Sequence, residues 1–247
     1  MRPPRTPPGR RRTVLLVTTA LVLLGGLALI STLGRGPGGS PAASGGAARA
    51  PASALPRWPG PRPPDVDPEV MLGNPAAPVT MVEFADYQCP FCGEFDRSVQ
   101  PTLVARYVGT GTLRIVWRDF PYYGAASEDA AVAARAAGRQ HRFWAFHDAL
   151  YAQRPVPGGG GLTAARFDAI ARDLALDPAR FDADRGDPAL RGAVRADFAF
   201  GRQLGVPGTP AFLVNGSPEL FGAQPLATFE QAIEQARQPS GAGPAPR

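Results

Sequence analysis

Two cysteines separated by two residues constrain this chain more than any other feature of its sequence. Cys89 and Cys92 are the only cysteines among 247 residues. They follow an apolar run at residues 78–84 that is typical of a buried strand. The segment EFADYQCPFC ends with them, and a helical pattern begins at once. Two thiols at a junction between a strand and a helix are placed for reversible disulfide chemistry.

The position at the start of a helix predicts different roles for the two thiols. Unsatisfied N–H groups and a partial positive charge at a helix N-terminus stabilise a thiolate, so the pKa of Cys89 should fall below about 8.5. Cys92 lies one turn further along, close enough to form a disulfide with Cys89 but more buried. We therefore predict an exposed, nucleophilic Cys89 and a resolving Cys92.

The sequence around the cysteines resembles that of a known family. GNPAAPVTMVEFADYQCPFC, followed much later by GVPGTPAFLVNG, is similar to the DsbA-like branch of the thioredoxin superfamily, the extracytoplasmic thiol:disulfide oxidoreductases. The resemblance covers about residues 73–236. It is specific because a CxxC after one strand is paired with Thr-Pro before another. It implies an α/β thioredoxin-like fold at residues 65–238, with a helical domain inserted at about residues 125–202.

The resemblance also assigns roles to residues outside the cysteines. In this family the proline that opens a late strand is cis and faces the CxxC, and here that residue is Pro210. A trans proline in an ordinary turn is the alternative, because most X-Pro bonds are trans. The backbone of Thr209 would then face the disulfide and pair with an incoming peptide as an added strand. Pro90 and Phe91 are predicted to contact substrate beside it, and Phe91 replaces the histidine of the best-known oxidase.

Glu83 is a carboxylate in an otherwise apolar strand, six residues before Cys89. One interpretation places it at the edge of the sheet, where its side chain reaches water, because Glu is almost never fully buried without a partner. The interpretation that we favour buries it beneath the disulfide. Desolvation would then raise its pKa and allow it to exchange a proton with Cys92. The family carries an acidic residue at the matching position.

The N-terminal part of the chain predicts a membrane attachment. Five arginines within residues 1–12 equal the whole formal net charge of +5, so the charge indicates topology and gives no reason to expect a nucleic-acid partner. Residues 13–33 carry no charge and are long enough to cross about 30 Å of hydrocarbon. We predict a cytoplasmic segment at 1–12 and an uncleaved transmembrane signal anchor at 13–33. A removed signal peptide is the alternative.

Two further segments are predicted to be disordered. Residues 34–64 are rich in Gly, Pro, Ala and Ser and show no hydrophobic period, which is typical of a linker. Residues 239–247 have a similar composition and are predicted to form a tail. The catalytic domain would therefore be extracytoplasmic, tethered to the cell membrane by a single-pass helix whose N-terminus is cytoplasmic.

Hydrophobic periodicity predicts the remaining elements. Pro101 interrupts the helix after the cysteines and should kink it. Arg118 and Asp119 are predicted to follow the strand at 113–117 and to lie outside the sheet. The other predicted helices cover residues 130–137, 143–151, 164–174, 189–204 and 226–237, and the other predicted strands cover 211–214 and 219–221.

His141 and His147 would complete, together with the two cysteines, a set of four zinc ligands. The gap between Cys92 and His141 is far longer than that of a zinc finger, and histidines six residues apart on a helix point to different faces. We therefore predict no zinc site and assign neither histidine a catalytic role.

The sequence thus predicts an enzyme that oxidises dithiols of secreted or membrane proteins through Cys89 and Cys92. No metal, nucleotide or flavin cofactor is implied, because the redox-active disulfide itself carries the electrons. Since there is no third cysteine, another protein must reoxidise the pair, and the resemblance implies a quinone-linked membrane partner.

Two alternatives stay open. The same fold could act as a disulfide reductase or isomerase, because direction depends on how strongly the thiolate is stabilised. The domain could instead be a binding or chaperone module in which the CxxC is incidental.

Overall fold

The computed structural model describes residues 66–153 and 156–238. The predicted cytoplasmic segment, signal anchor, linker and tail, at residues 1–64 and 239–247, lie outside the described residues. Within the described ranges no helix combines the length and the apolar character needed to cross a membrane. The predicted domain boundaries and the membrane attachment therefore stay predictions.

A five-stranded mixed sheet organises the described part of the chain. Its strands are ordered β1-β3-β2-β4-β5. Strands β2 and β3 are parallel, and all other neighbours are antiparallel. The central strand β2 is buried along its whole length, which suits its β-branched and aromatic residues. Strands β1 to β5 cover Met71–Leu72, Val79–Ala85, Leu113–Asp119, Ala211–Val214 and Ser217–Phe221.

Helices cover both faces of the sheet and fill the connection between β3 and β4. Helices α3 to α7 form this insertion, as the resemblance implied, whereas α1, α2 and α8 flank the sheet directly. A π-helical turn, Val104–Val108, follows α2. Helices α1 to α8 cover Pro90–Ser98, Gln100–Leu103, Ala125–Gly138, Phe143–Tyr151, Ala164–Asp173, Pro178–Arg185, Pro188–Gln203 and Leu226–Arg237.

Alternation along β2 decides which face each side chain covers. Met81 packs in one apolar cluster with Phe95 of α1 and Phe229 of α8. Val82 and Phe84 pack in another cluster on the opposite face, against the end of α7. Because successive strand residues point to opposite faces, Glu83 lies on the same face as Met81. The sheet therefore directs the one carboxylate of β2 toward the helix that carries the cysteines.

Most predicted elements are present, and the differences have physical causes. Helix α1 ends at Ser98 and α2 begins at Gln100, so the helix breaks beside Pro101 as predicted. The prediction that Arg118 and Asp119 leave the sheet was wrong, because β3 continues to Asp119. Both are tolerated in the buried strand because buried partners neutralise them, with Arg118 bound to Asp197 at 2.6 Å.

One short strand and one α-helix were missed, together with a 3-10 turn at Pro68–Val70. Strand β1 has two residues and is too short to show a period. Helix α6 is short and mostly polar, although Asp177 caps it and Pro178 opens it, which is a recognisable start signal.

Close packing of α7 on the sheet predicts a large cost for one added methyl group. A Cβ on Gly201 would lie 2.7 Å from Phe120 Cε2, whereas a Cβ on Gly192 of the same helix would meet nothing within 4 Å. We expect Gly201→Ala to lower the free energy of unfolding by about 1–3 kcal/mol through overpacking. Gly192→Ala should raise it by about 0.5–1 kcal/mol. Urea denaturation of both variants checks this, and equal effects would contradict it.

Candidate redox site

Cys89 caps the N-terminus of α1. Pro90 occupies the first helical position, where its fixed φ fits and its missing N–H leaves no bond unmade. The Cys89 Sγ accepts a hydrogen bond from the Cys92 N–H at 3.4 Å. The Cys89 thiol donates to the Thr209 carbonyl oxygen at 3.3 Å. Both cysteines are free thiols, so this is the geometry of the dithiol form.

The surroundings of the two thiols separate their pKa values. The pKa of Cys89 is lowered to about 7, chiefly by the hydrogen bond with the Cys92 thiol, and burial opposes this shift. N–H groups at the start of α1 add to the lowering. The pKa of Cys92 is raised well above its usual value, chiefly by burial. This order is the one that a nucleophilic Cys89 and a resolving Cys92 require.

The prediction that Cys89 is exposed was wrong for this form of the protein. Cys89 and Cys92 are both 0% exposed. The loop that carries Thr209 covers the Cys89 sulfur, as the hydrogen bond to its carbonyl shows. Between the two cysteines, Phe91 is 58% exposed and Pro90 is also exposed. The surface beside the nucleophile is therefore formed by these two side chains and not by the sulfur.

Pro210 lies opposite the cysteines. The Thr209–Pro210 peptide bond is cis, and Pro210 is buried. The Thr209 carbonyl, which sequence reasoning offered to an incoming peptide, is bound by Cys89 in the dithiol form. The Thr209 hydroxyl Oγ1 is buried and has no partner at full hydrogen-bond geometry among the described residues, although the Thr209 side chain helps to lower the pKa of Cys89. A substrate that displaces the Cys89 thiol would thus find a carbonyl and a hydroxyl to bind.

Glu83 is buried on the α1 side of the sheet. It is 1% exposed, so the interpretation that places it at a wet sheet edge was wrong. Its strand lies between β3 and β4, which pair with it on both sides. Burial, followed by the negative charges of Asp96 and Cys89, raises the pKa of Glu83 well above its usual value. Its Oε2 has no hydrogen-bond partner among the described residues. The carboxyl group is therefore biased toward its protonated form.

The two histidines have separate surroundings. His141 precedes α4, has a φ of 58° and has an exposed side chain, so the assumption that both lie on one helix was wrong. His147 is fully buried. Its Nδ1 lies 3.3 Å from the Tyr87 hydroxyl and its Nε2 lies 3.0 Å from Asp96 Oδ1.

The described ranges contain one candidate metal-binding arrangement. One group of three side chains there has ligand atoms close enough together for a metal ion, namely Asp96, His147 and Asp148. Neither cysteine belongs to this group. The arrangement that would make zinc with both cysteines and both histidines is therefore not formed by the described residues.

Sequence reasoning missed a buried carboxylate between Glu83 and the cysteines. Asp86 follows β2 and is 2% exposed. Its backbone carbonyl accepts hydrogen bonds from the Cys89 N–H at 3.0 Å and from the Tyr151 hydroxyl at 2.8 Å. Burial raises its pKa, and hydrogen bonds from Ser127 and from backbone N–H groups oppose the shift. A polar residue directly after a buried strand was the available signal.

An apolar groove lies beside Cys89. It holds about 450 Å³ and contains no charged residue in its lining. Large aromatic side chains expose their rings there. The lining consists of Phe91, Tyr122, Tyr123, Pro207, Gly208, Thr209, Phe221, Gly222 and Ala223. The groove therefore joins the segment between the cysteines to the loop before Pro210.

A five-stranded mixed sheet, a CxxC at the N-terminus of the helix that follows its central strand and the Thr209 loop packed against the first cysteine define a dithiol protein of the thioredoxin fold. The model of the thioredoxin family matches residues 65–235 of this chain. The chain therefore belongs to the thioredoxin family.

Known relatives refine this membership. The probable disulfide bond formation protein D of Bacillus anthracis is 31% identical over 150 residues, which is 59% of this chain and 69% of the relative. The crystal structure of BdbD from Bacillus subtilis superimposes with a TM-score of 0.63, covers 68% of this chain and 92% of that one, and is 23% identical. Sequence and fold together support the DsbA-like branch, whose enzymes are thiol:disulfide oxidoreductases.

A second type of relative is much longer than this chain. The Na(+)/H(+) antiporter NhaA 1 of Salinispora arenicola is 39% identical over 158 residues, which is 62% of this chain but only 22% of the relative. The thioredoxin-like sequence is thus also found as a small part of a larger membrane transporter.

The pKa of Cys89 is expected to depend on its partner thiol. Replacing Cys92 by Ala removes the hydrogen bond that lowers this pKa most, so the pKa of Cys89 should rise above about 7. Cys92→Ser keeps a hydroxyl donor and should shift it less. Thiolate absorbance followed during a pH titration checks both variants. An unchanged midpoint in Cys92→Ala would show that the helix terminus alone sets the value.

Glu83 is expected to make stability depend on pH. Because its folded-state pKa is raised, the native protein binds more protons than the unfolded chain above the usual pKa of Glu, so stability falls as pH rises through that window. Glu83→Gln removes this dependence. The stability of Glu83→Gln relative to the parent protein should therefore increase as the pH rises above the usual pKa of Glu, about 4.3. Exposed Glu94 lies on the same helix as the cysteines, and Glu94→Gln is the control in urea denaturation. A pH-independent difference for Glu83→Gln would contradict the expectation.

Proposed function

We propose that the protein is a DsbA-type thiol:disulfide oxidoreductase that oxidises dithiols of secreted or membrane proteins. The pair of unequal thiols at the start of α1, with the pKa of Cys89 lowered to about 7 and that of Cys92 raised, carries the exchange chemistry. The disulfide bond formation protein among the relatives supports the oxidising direction. Near neutral pH about half of Cys89 is then thiolate, which is the form that leaves and attacks in disulfide exchange.

The reaction follows from this asymmetry. In the disulfide form of the protein, a substrate thiolate attacks the Cys89 sulfur, the bond to Cys92 breaks, and its electron pair goes to the Cys92 sulfur. A mixed disulfide between the substrate and Cys89 forms. The second substrate thiolate then attacks the substrate sulfur of that bond and releases Cys89 as a thiolate. The substrate loses two electrons and two protons. The protein gains both electrons and one proton at Cys92, and the second proton goes to solvent because Cys89 leaves as a thiolate.

Glu83 supplies a reason why Cys92 can leave in a buried site. A thiolate formed there is costly, because burial raises the pKa of Cys92. Glu83 lies on the face of the sheet that α1, the helix with Cys92, covers. Because burial raises the pKa of Glu83, its carboxyl group holds a proton that the leaving Cys92 sulfur can take. In the reverse step Glu83 recovers the proton. It acts as a proton donor and acceptor without forming a covalent bond.

The partners and the location extend this proposal. The chain has no third cysteine, so a second protein must remove the two electrons from Cys89 and Cys92, and a quinone-linked membrane oxidant has the required chemistry. The uncharged run at residues 13–33, with the arginines before it, supports tethering at the outer side of the cell membrane. No metal or organic cofactor takes part in the proposed reaction.

A reductase or isomerase is the second candidate, and the pKa of Cys89 is the observation that favours it. A value of about 7 is close to the value of about 7 for thioredoxin and far from the value of about 3.5 for DsbA. The Phe91 side chain, between the cysteines, can stabilise a thiolate neither by a hydrogen bond nor by a positive charge. A binding or chaperone module would differ from both enzymes, since Cys89→Ser would leave its action intact.

The reduction potential of the pair distinguishes the two directions. We expect the full chain, equilibrated against glutathione, to have a potential between about −270 mV, as in thioredoxin, and about −120 mV, as in DsbA. The reason is that Cys89 is stabilised as a thiolate less strongly than in the strongest oxidases. Quantifying the dithiol and disulfide forms by mass after thiol trapping gives the value. A potential at or below about −270 mV would overturn the oxidase proposal and support a reductase.

A further inference from the structure

We infer that Asp96 of α1, together with His147 and Asp148 of α4, binds one divalent transition-metal ion, and that Zn²⁺ suits the site best. The amide oxygen of Gln100 would be a fourth ligand. We call these four residues the helix-pair site. The inference goes beyond the reaction proposed for the cysteines, because neither cysteine belongs to this group of ligands.

The positions of the potential ligand atoms are the first argument. Asp96, His147 and Asp148 each offer one ligand atom, and these atoms lie within 4.8 Å of one another. His147 Nε2 and Asp96 Oδ1 are 3.0 Å apart, which is the separation of two ligands at right angles about 2.1 Å from one ion. A simple ion pair accounts for these two atoms, but not for a third ligand atom beside them.

Gln100 supplies an independent observation. It is 5% exposed, and its Nε2 donates to Asp96 Oδ1 at 3.1 Å. Its Oε1 is buried and has no hydrogen-bond partner among the described residues. A buried acceptor is costly to leave unpaired. Because the two ends of an amide have nearly the same shape, a half-turn of this amide would direct Oε1 toward an ion that Asp96 holds.

His147 is held in the orientation that metal binding requires. Its Nδ1 lies 3.3 Å from the Tyr87 hydroxyl. The rings of Trp117 and Trp144 pack against its imidazole at centroid distances of 4.7 and 5.1 Å. A neutral imidazole that donates its Nδ1–H to Tyr87 directs the lone pair of Nε2 at Asp96. Metal-bound histidines are typically fixed by such a hydrogen bond at their second nitrogen.

Negative charges repel one another around the helix-pair site. Desolvation is the main cause that raises the pKa of Glu83 and the pKa of Asp148, and the negative charge of Asp96 raises both further. His147 opposes the shift at Asp148. A divalent ion bound between Asp96 and Asp148 would offset this repulsion.

The ligand set selects the class of ion. One imidazole nitrogen with carboxylate and amide oxygens suits Zn²⁺ and other transition-metal ions, whereas Ca²⁺ and Mg²⁺ prefer oxygen ligands alone. Asp148 is exposed, which leaves a path for the ion from solvent. Asp96 lies one turn after Cys92 on α1, and His147 lies on α4. A bound ion would therefore clamp the helix that carries the cysteines to the helical insertion.

Zinc binding to the disulfide form of the full, untagged chain tests this inference, because the disulfide removes both thiols as competing ligands. Isothermal titration calorimetry should show one equivalent of bound Zn²⁺ that equimolar Ca²⁺ or Mg²⁺ does not displace. Asp148→Ala changes an exposed side chain and should leave the fold intact. This variant and Asp96→Asn should each bind Zn²⁺ at least about tenfold more weakly, since even the loss of a group that only orients a ligand costs about that much.

Urea denaturation and matched variants locate the ion. Because Zn²⁺ binds the native state, it should raise the urea midpoint of the parent protein more than that of Asp148→Ala at the same concentration. Glu94→Gln removes an exposed carboxylate of α1. His141→Gln removes the other histidine, whose Nδ1 lies 2.9 Å from Glu69 Oε1. Both control variants should keep the affinity and the midpoint shift of the parent.

Each contrary result overturns the inference in a recognisable way. An absence of binding at millimolar Zn²⁺ would leave Asp96 and His147 as an ordinary ion pair. Equal affinity in the parent, Asp148→Ala and Asp96→Asn would mean an adventitious ion only. Loss of binding in His141→Gln alone would place the ion at Glu69, and displacement by Ca²⁺ would contradict the class of ion. The proposed function fails separately, because thiol exchange is measured without zinc and does not require this site.

Discussion

The buried ion pairs around Arg135 connect the helical insertion to the sheet, and the geometry of the redox site depends on this connection. Arg135 of α3 binds Asp119 at the end of β3, at 2.5 Å, and also binds Asp197 of α7. Burial lowers the pKa of Arg135, but the carboxylates of Asp119 and Asp197 outweigh it and raise this pKa, and all three side chains are almost completely buried. Loss of one partner would leave a buried charge uncompensated, at a cost of about 3–5 kcal/mol. These ion pairs therefore hold α3 and α7 in place against β3.

A short series of contacts connects these ion pairs to the cysteines. Asp119 accepts the Trp117 indole N–H at 2.7 Å, and the Trp117 ring stacks on Tyr87 at a centroid distance of 5.0 Å. Tyr87 lies two residues before Cys89 in the chain and contacts His147 of the insertion. Ser127, whose hydroxyl donates to Asp86, belongs to the same helix as Arg135. The apolar groove lies between the loop that joins β3 to α3 and the loop before β4, so its width depends on the spacing of these two loops.

The sequence predicted the parts of the site that depend on local patterns. Residues 211–214, 143–151 and 226–237 were predicted with the bounds that the structure has, because their periodicity is uninterrupted. The position of Cys89 at a helix start follows equally from neighbouring residues. What could not be predicted depends on residues distant in the chain. Cys89 is covered by Thr209, 120 residues away.

The role of Asp86 and the length of β3 were missed for the same reason. Arg118 pairs with Asp197, 79 residues away, and Asp86 binds Ser127, 41 residues away. A charged residue at the end of a strand pattern reads as exposed unless its buried partner is known. Burial of polar groups is thus a property of the tertiary pairing, which a single sequence does not display.

The lowered pKa of Cys89 sets a limit on how oxidising the pair can be through thiolate stabilisation alone. With a pKa of about 7, ionisation stabilises the dithiol form at pH 7 by about 0.4 kcal/mol relative to a thiol of ordinary pKa. For a two-electron couple this free energy raises the reduction potential by on the order of 10 mV. By the same argument, a thiol with a pKa of about 3.5 would raise the reduction potential of the pair by on the order of 100 mV. Thiolate stabilisation alone therefore does not decide the direction of electron flow, which also depends on the redox partner that the cysteine pair meets.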